Sequence, residues 1–190
     1  MSKTILKGGA LLAPIPPVMV SCSDGERDNI ITVAWTGMLA TTPPTTYISV
    51  RPTRHSYEMI KKSGEFVINL TTAQLTKAAD YCGIYTGAKV DKFEKCKLTK
   101  EKATKLSCPM IEESPLSIEC RVREVIPMGS HDVFVSDIVA VNVSDDVLDE
   151  AGRICMEKAS LTAYAHGEYF ALGRSLGKFG FSATKKKKRR

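Results

Sequence analysis

No stretch of this sequence approaches the roughly 18 consecutive apolar residues that a membrane helix needs. No membrane partner is therefore expected. No G-x-x-x-x-G-K-[ST] loop and no H-E-x-x-H pair occurs, which removes P-loop phosphoryl chemistry and helical zinc hydrolysis from consideration. The three histidines, His55, His131 and His166, lie far apart. None of the six cysteines (22, 82, 96, 108, 120 and 155) falls in a C-x-x-C spacing. A local metal-ligand cluster is absent, and no metal is expected. The late glycines Gly173, Gly177 and Gly180 miss the G-x-G-x-x-G fingerprint, and strand and helix signals do not alternate regularly, so a Rossmann site is not expected. Aromatic residues make up only 7%, with a single tryptophan. The opening stretch MSKTILKGGALLAPIPP is too short and too broken by glycine and proline to read as an export signal. A cytoplasmic location with reduced thiols is the expectation, and the N-x-[ST] triplets at Asn69 and Asn142 then carry no meaning.

What is present is an ordinary globular composition. The chain has 190 residues, 43% hydrophobic and 25% charged, enough for one domain with a real core. The net charge of +6 has a local origin: Lys185 to Arg190 are all basic, and without them 21 charges of each sign remain. The division expected is a domain over residues 1–184 and a polybasic tail over 185–190. Such a tail contacts anionic surfaces or nucleic acid, or is simply solvated.

The first half reads as strands. Val18 to Ser23 follows a proline cluster, and the turn-like Asp24–Asn29 leads into the β-branched run Ile30–Trp35. Thr42-Pro43-Pro44 breaks the chain before a third strand over Thr46–Arg51. Thr53 is a plausible N-cap for a helix with Tyr57 and Ile60 on one face and Gly64 at its C′ position. Phe66–Leu70 reads as a strand, and Thr72 to about Tyr81 as a second helix. Residues 86–109 are polar, with five lysines between 95 and 105, and are expected to form a surface excursion with little core. Leu116, Ile118, Cys120 and Val122 then alternate with Ser117, Glu119, Arg121 and Arg123. A phase slip at Glu124-Val125 suggests a bulge. After the turn at Pro127–Ser130, Val133, Val135, Val139, Val141 and Val143 keep one parity and complete a long hairpin. Many strands with short inserted helices and no repeat point to a closed β-barrel.

Three segments carry candidate chemistry. Arg51-Pro52-Thr53-Arg54-His55-Ser56 joins a strand to a helix N-terminus, where open N–H groups, two arginines and hydroxyls suit a phosphate. The alternative is that Thr53 caps the helix and the arginines face water. Asn29 to Trp35 offers backbone groups at a strand edge for a flat heterocycle; alternatively Trp35 is core. His166-Gly167-Glu168-Tyr169 lines a ligand cavity or is a hydrogen-bonded structural turn.

The ordered set N-I-I-T-V-A-W-T-G-M (29–38), P-P-T-T-Y-I-S-V-R-P-T-R-H-S (43–56), G-E-F-V-I-N-L (64–70), A-A-D-Y-C-G (78–83), V-D-K-F (90–93), M-G-S-H-D-V-F (128–134) and H-G-E-Y-F-A-L-G (166–173) resembles the flavin reductase-like family, nearest its flavoredoxin-like and ferric-reductase-like members. The resemblance runs from about residue 10 to 182 and leaves out the tail. It implies a mainly β fold with inserted helices, an FMN-binding split β-barrel, and a homodimer with FMN near the subunit interface. It implies that Thr32, Val33, Ala34 and Trp35 lie along the isoalloxazine. Ser49, Val50, Arg51, Arg54, His55 and Ser56 would hold the ribityl phosphate. Asn69, Leu70, Cys82, Gly83, Lys89 and Lys92 would lie near the cofactor, and His166 and Tyr169 would reach the flavin or its substrate face. No side chain is implied as a catalytic acid or base. The function implied is an oxidoreductase passing electrons from NAD(P)H or a reduced protein through FMN to a flavin, ferric iron or a redox protein. The alternative is a non-enzymatic barrel that uses its tail to hold nucleic acid, although exposed aromatics interleaved with basic residues are scarce here.

Overall fold

The computed structural model describes residues 2–183; the polybasic tail lies outside them. Five strands and one helix come first: β1 (Val18–Ser23), β2 (Asp28–Val33), β3 (Thr36–Thr41), β4 (Pro44–Val50), α1 (His55–Ser63) and β5 (Glu65–Leu70). Then follow α2 (Thr76–Ile84), α3 (Lys92–Cys96), the short pair β6 (Lys100–Glu101) and β7 (Met110–Ile111), and the long hairpin β8 (Leu116–Pro127) and β9 (Asp132–Val143). A final hairpin joins β10 (Thr162–Ala165) to β11 (Glu168–Ala171).

The main sheet has seven antiparallel strands in the order β2-β1-β5-β8-β9-β4-β3. Its two outermost strands, β2 and β3, are consecutive in the chain with only Ala34 and Trp35 between them. Two edges joined by so short a link force the sheet to curl until they meet, which is the geometric origin of the barrel. Most of the expected strands are present. One strand was not expected: β3 occupies Thr36–Thr41, between the run ending at Trp35 and the break at Thr42–Pro44. Its pairing with β4 shifts register between Met38 and Ala40, and its exposed, mixed face gives no period-2 signal.

The barrel interior is filled by Val18, Val20, Cys22, Ile31, Val33, Ile48, Phe66, Ile68, Cys120 and Phe134, with Tyr57 and Ile60 of α1 closing one end. Two corrections concern the other sheet face. Residues 86–109 are not a coreless excursion: Phe93 and Leu98 pack with Met19, Ile30 and Cys82, while Ala103, Leu106 and Cys108 pack on Val67. Both faces of β1 are covered, so all six of its residues are buried. Glu119, on the polar parity of β8, is fully buried beneath that same layer. The valine parity of β9 faces away from the barrel interior, and Val139 packs on the outer layer. Phe134 and Ile138 point into the barrel, while Val141 is half exposed. The β8–β9 pairing shifts register twice, between Glu119 and Cys120 and between Val122 and Glu124, and the second shift lies within two residues of the expected slip.

A hydrogen-bonded knot ties the two layers together. Asn69 Nδ2 donates to Met19 O and Ser21 Oγ, both at 3.0 Å. Its Oδ1 accepts from Ile111 N (3.0 Å) and Ser117 Oγ (2.8 Å). All six cysteines are free thiols. Among the described residues no helix is long and apolar enough to cross a membrane, and no cluster of three metal-ligating side chains occurs.

Candidate functional site

The end of β2 and the two residues joining it to β3 line open space. A cleft of about 410 Å³ runs along Ile31–Trp35 there. The end of β4 (Ser49–Arg51) and Arg54 form its second wall, and Gly83 of α2 with Tyr169 of β11 form the third. Val33 and Val50 bury their side chains in the core, so they present backbone to the cleft. The Thr32 hydroxyl donates to Ala79 O, tying β2 to α2. Trp35 is 43% exposed and is not a core residue; Ser49 N donates to its carbonyl (2.9 Å) and holds it at the rim.

At Arg54 the cleft continues into a narrow crevice lined by Asn29, His55, Ser56, Cys82, Thr86, Gly87 and Lys92. Thr53 does not cap α1. Arg54 occupies the N-cap position in an extended conformation, and no side chain among the described residues caps the helix. The first amides of this nine-residue helix are left for water or a ligand. Lys92 is buried at the bottom, donating to Ile30 O (2.6 Å) and Cys82 O (2.8 Å), with no carboxylate partner among the described residues. Burial, with the Arg54 charge adding, holds its ammonium below the usual lysine range. A buried cation beside an uncapped helix start and a second cation is a strong anion site. Asn29 Nδ2 donates to Ser56 Oγ (2.8 Å) and fixes the hydroxyl beneath the helix end.

Gly87 is there for close approach. A methyl group on it would lie 2.1 Å from Asn29 Oδ1, and Asn29 is itself buried. Gly87→Ala should therefore cost about 1–3 kcal/mol, in the range of overpacking, and displace Asn29 from Ser56. Denaturant midpoints of the purified variant check this.

The remaining expected residues divide. Lys89 lines an adjoining cleft of about 370 Å³ with His55 and Gly87. Cys82 borders the crevice, but burial pushes its thiol up to about 12, so it is no nucleophile at neutral pH. Burial, then the Asp80 carboxylate, push the Tyr169 phenol up to about 12, and it donates to Asp80 Oδ1 (3.2 Å). His166 does not join Tyr169 in the long cleft. His166 and Gly167, both at positive φ, form the two-residue turn between β10 and β11. The histidine faces a separate cleft beyond Trp35. Asn69 and Leu70 border none of these clefts; every polar atom of the Asn69 side chain is spent in the knot between the layers.

Several lining residues escaped the reading of the sequence as site residues, among them Gly87, His131, Asp80 and Tyr164. Two of these had a signal: Asp80 lies in A-A-D-Y-C-G (78–83), and His131 in M-G-S-H-D-V-F (128–134), just after the hairpin turn at Pro127–Ser130. Arg51 Nε donates to its Nε2 (3.4 Å), and its Nδ1 lies 2.9 Å from Ser130 Oγ. Burial, then repulsion from Arg51 and Arg54, hold its pKa below the ordinary value. It is therefore neutral at pH 7, with its ring proton on Nδ1.

Known proteins share this fold. Flavoredoxin of Desulfovibrio vulgaris (Miyazaki F) superposes with a TM-score of 0.90 at 30% identity, covering 96% of this chain and 100% of that one. A curated protein of Archaeoglobus fulgidus is 33% identical over 124 residues, which are 65% of this chain and 70% of its own. The FMN reductase (NADH) RutF of Agrobacterium fabrum is 24% identical over 108 residues, 56% of this chain and 60% of that protein. The flavin reductase like domain matches residues 12–173, from the arm before β1 through the last hairpin. With the family match and the fold superposition both covering nearly the whole chain, this protein belongs to the flavin reductase like domain family, a family of flavin-dependent oxidoreductases.

Proposed function

We propose that the protein binds FMN and passes electrons from NAD(P)H or a reduced protein to an acceptor, working as a homodimer. The observation that carries this reading is the continuity of an anion crevice with a flat-walled cleft. FMN has that same division, a phosphate at one end of a ribityl chain and a tricyclic ring at the other. The donor set fits the phosphate: Arg54, buried Lys92, Ser56 and the open amides of α1. The backbone of Thr32–Trp35 and the Gly83 surface fit one face of the ring. The Agrobacterium relative is named for FMN and NADH, which accords with this choice of flavin and donor.

When bound, the flavin supplies hydride acceptance and one- or two-electron release. The residues of this chain hold and surround it. Arg54 and Lys92 offset the phosphate charge. Gly83 leaves room against Thr32, where an added Cβ would stand 3.4 Å from the threonine Cβ. The cations at the β4 end favour negative charge in the cleft, a form of electrostatic preorganisation. Neutral His131 holds Arg51 toward the cleft. No side chain is assigned as acid or base.

Purified protein should be yellow or become so on adding FMN, and NADH or NADPH should bleach the bound flavin if either is the donor. A colourless chain that fails to bind added FMN refutes the reading. Arg51 is exposed and shares its Nε with His131. Arg51→Ala should therefore weaken FMN binding at the low end of the range for a charge-assisted hydrogen bond, about 1.5 kcal/mol. Titration followed by flavin fluorescence measures it.

A further inference from the structure

Beyond Trp35 lies a larger cleft of about 580 Å³, roofed by the arm over residues 10–13 and bordered by Tyr47, Val133 and Tyr164. It shares Ala34, Trp35, Ser49, His131 and Tyr164 with the long cleft, so the two meet around the only tryptophan. Among the described residues its walls contain no lysine, arginine, aspartate or glutamate. Its uncharged polar groups include Ser130 Oγ and His131 Nδ1, which lie 2.9 Å apart. The volume suits a compact ring system, and the walls combine apolar surface with a few convergent polar groups.

From these walls we infer that this cleft takes an uncharged, bicyclic aromatic dicarbonyl compound of the naphthoquinone class, and that this compound is an electron acceptor; the acceptor role rests on the flavin reading above. A nicotinamide nucleotide would leave its phosphates without a cation here, and a charged iron chelate would lose its hydration with no opposite charge in return. A neutral quinone loses neither. Its rings would lie among Trp35, Tyr47 and Tyr164, with one carbonyl toward the Ser130–His131 pair. Reduction of the bound quinone to the quinol consumes one hydride from the reduced flavin, which is left oxidised, and one proton from water. Both electrons travel with the hydride, and no further co-reactant is required.

The test uses the full chain loaded with FMN and 2-methyl-1,4-naphthoquinone, with 1,4-naphthoquinone-2-sulfonate as the charged comparison. Equilibrium dialysis should show one saturable site per chain for the neutral quinone. The sulfonate should bind at least about tenfold more weakly, because its charge finds no partner in these walls. Two variants change residues that line this cleft and not the long one: Val133→Arg, which places a cation inside it, and deletion of residues 2–12, which removes part of its roof. Each should lower quinone affinity about tenfold or more and leave FMN affinity unchanged. The deletion keeps the test open if the arginine variant does not fold, since Leu11 and Leu12 of the arm are exposed. FMN binding without saturable quinone binding, or with quinone affinity unaltered in the folded variants, overturns the inference and leaves the flavin reading standing. Equal affinity for the two quinones overturns the class assigned. Quinone binding to a chain that takes no FMN overturns the acceptor role together with the flavin reading.

Discussion

Replacing Glu119 by glutamine should destabilise the protein by about 3–4 kcal/mol, a large value that only a broken buried polar network produces. The carboxylate is fully buried and accepts four hydrogen bonds: from Thr104 N (2.7 Å), Lys105 N (2.7 Å), Leu106 N (3.0 Å) and Asn142 Nδ2 (2.7 Å). A glutamine turns one acceptor oxygen into an NH₂ that faces donors. The side chain is the pin by which the 103–106 segment is held on β8, so the variant should also expose the layer over Val67. Hydrogen exchange at the amides of residues 104–106 should accelerate before the barrel itself opens.

The same carboxylate makes stability depend on pH with a definite sign. Burial alone raises its pKa, but the donors from Asn142, Lys105, Thr104 and Leu106 outweigh burial, and the net value lies below the ordinary glutamate range. A depressed folded-state pKa contributes stability that is present above the unfolded-state value and is lost as pH falls toward the folded-state value. The gap between wild type and Glu119→Gln should therefore be full at neutral pH and narrow as pH falls through about 4. Urea midpoints of the two proteins across that range decide it; a constant gap contradicts the assignment.

Lys92→Met should weaken FMN binding about a hundredfold while the chain still folds. The methionine keeps most of the volume and removes the buried cation, and about 3 kcal/mol is the upper end for a hydrogen bond to a charged group. Two backbone carbonyls, of Ile30 and Cys82, lose their donor as well, so a modest drop in melting temperature should accompany the loss. Because the wild-type ammonium titrates below the usual lysine range, FMN affinity should decline on the alkaline side earlier than an ordinary lysine would dictate. That decline should be absent in the variant. An FMN affinity within twofold of wild type would remove Lys92 from the phosphate site.

Much of the site was legible as segments and little of it as geometry. The strand-to-helix junction at Arg51–Ser56 and the run Asn29–Trp35 were recognisable, because a proline-stopped strand, a helix start and a β-branched run each leave a local signature. Their meeting at Arg54 was not, since it depends on the sheet curling. Thr53 illustrates the limit of local rules: it has the preferred N-cap chemistry, yet Arg54 takes that position and the helix is left uncapped. Asn69 illustrates the reverse. It stands next to the expected site in sequence, but its amide is consumed between two layers whose existence no periodicity announced.

Short-range regularities decided most of the strands (though not β3), where Gly64 ends α1, and where β8 slips its phase, because each depends on residues a few positions apart. They also placed the net positive charge in the last six residues. Long-range contacts decided the rest. Residues 86–109 look solvated by composition, yet they bury Phe93, Leu98 and Leu106 against the outer face of the sheet. Glu119 thus becomes an interior anion, and Lys92 an interior cation. Whether a polar residue on a strand or in a loop meets water depends on what arrives from elsewhere in the chain, and that information is not local.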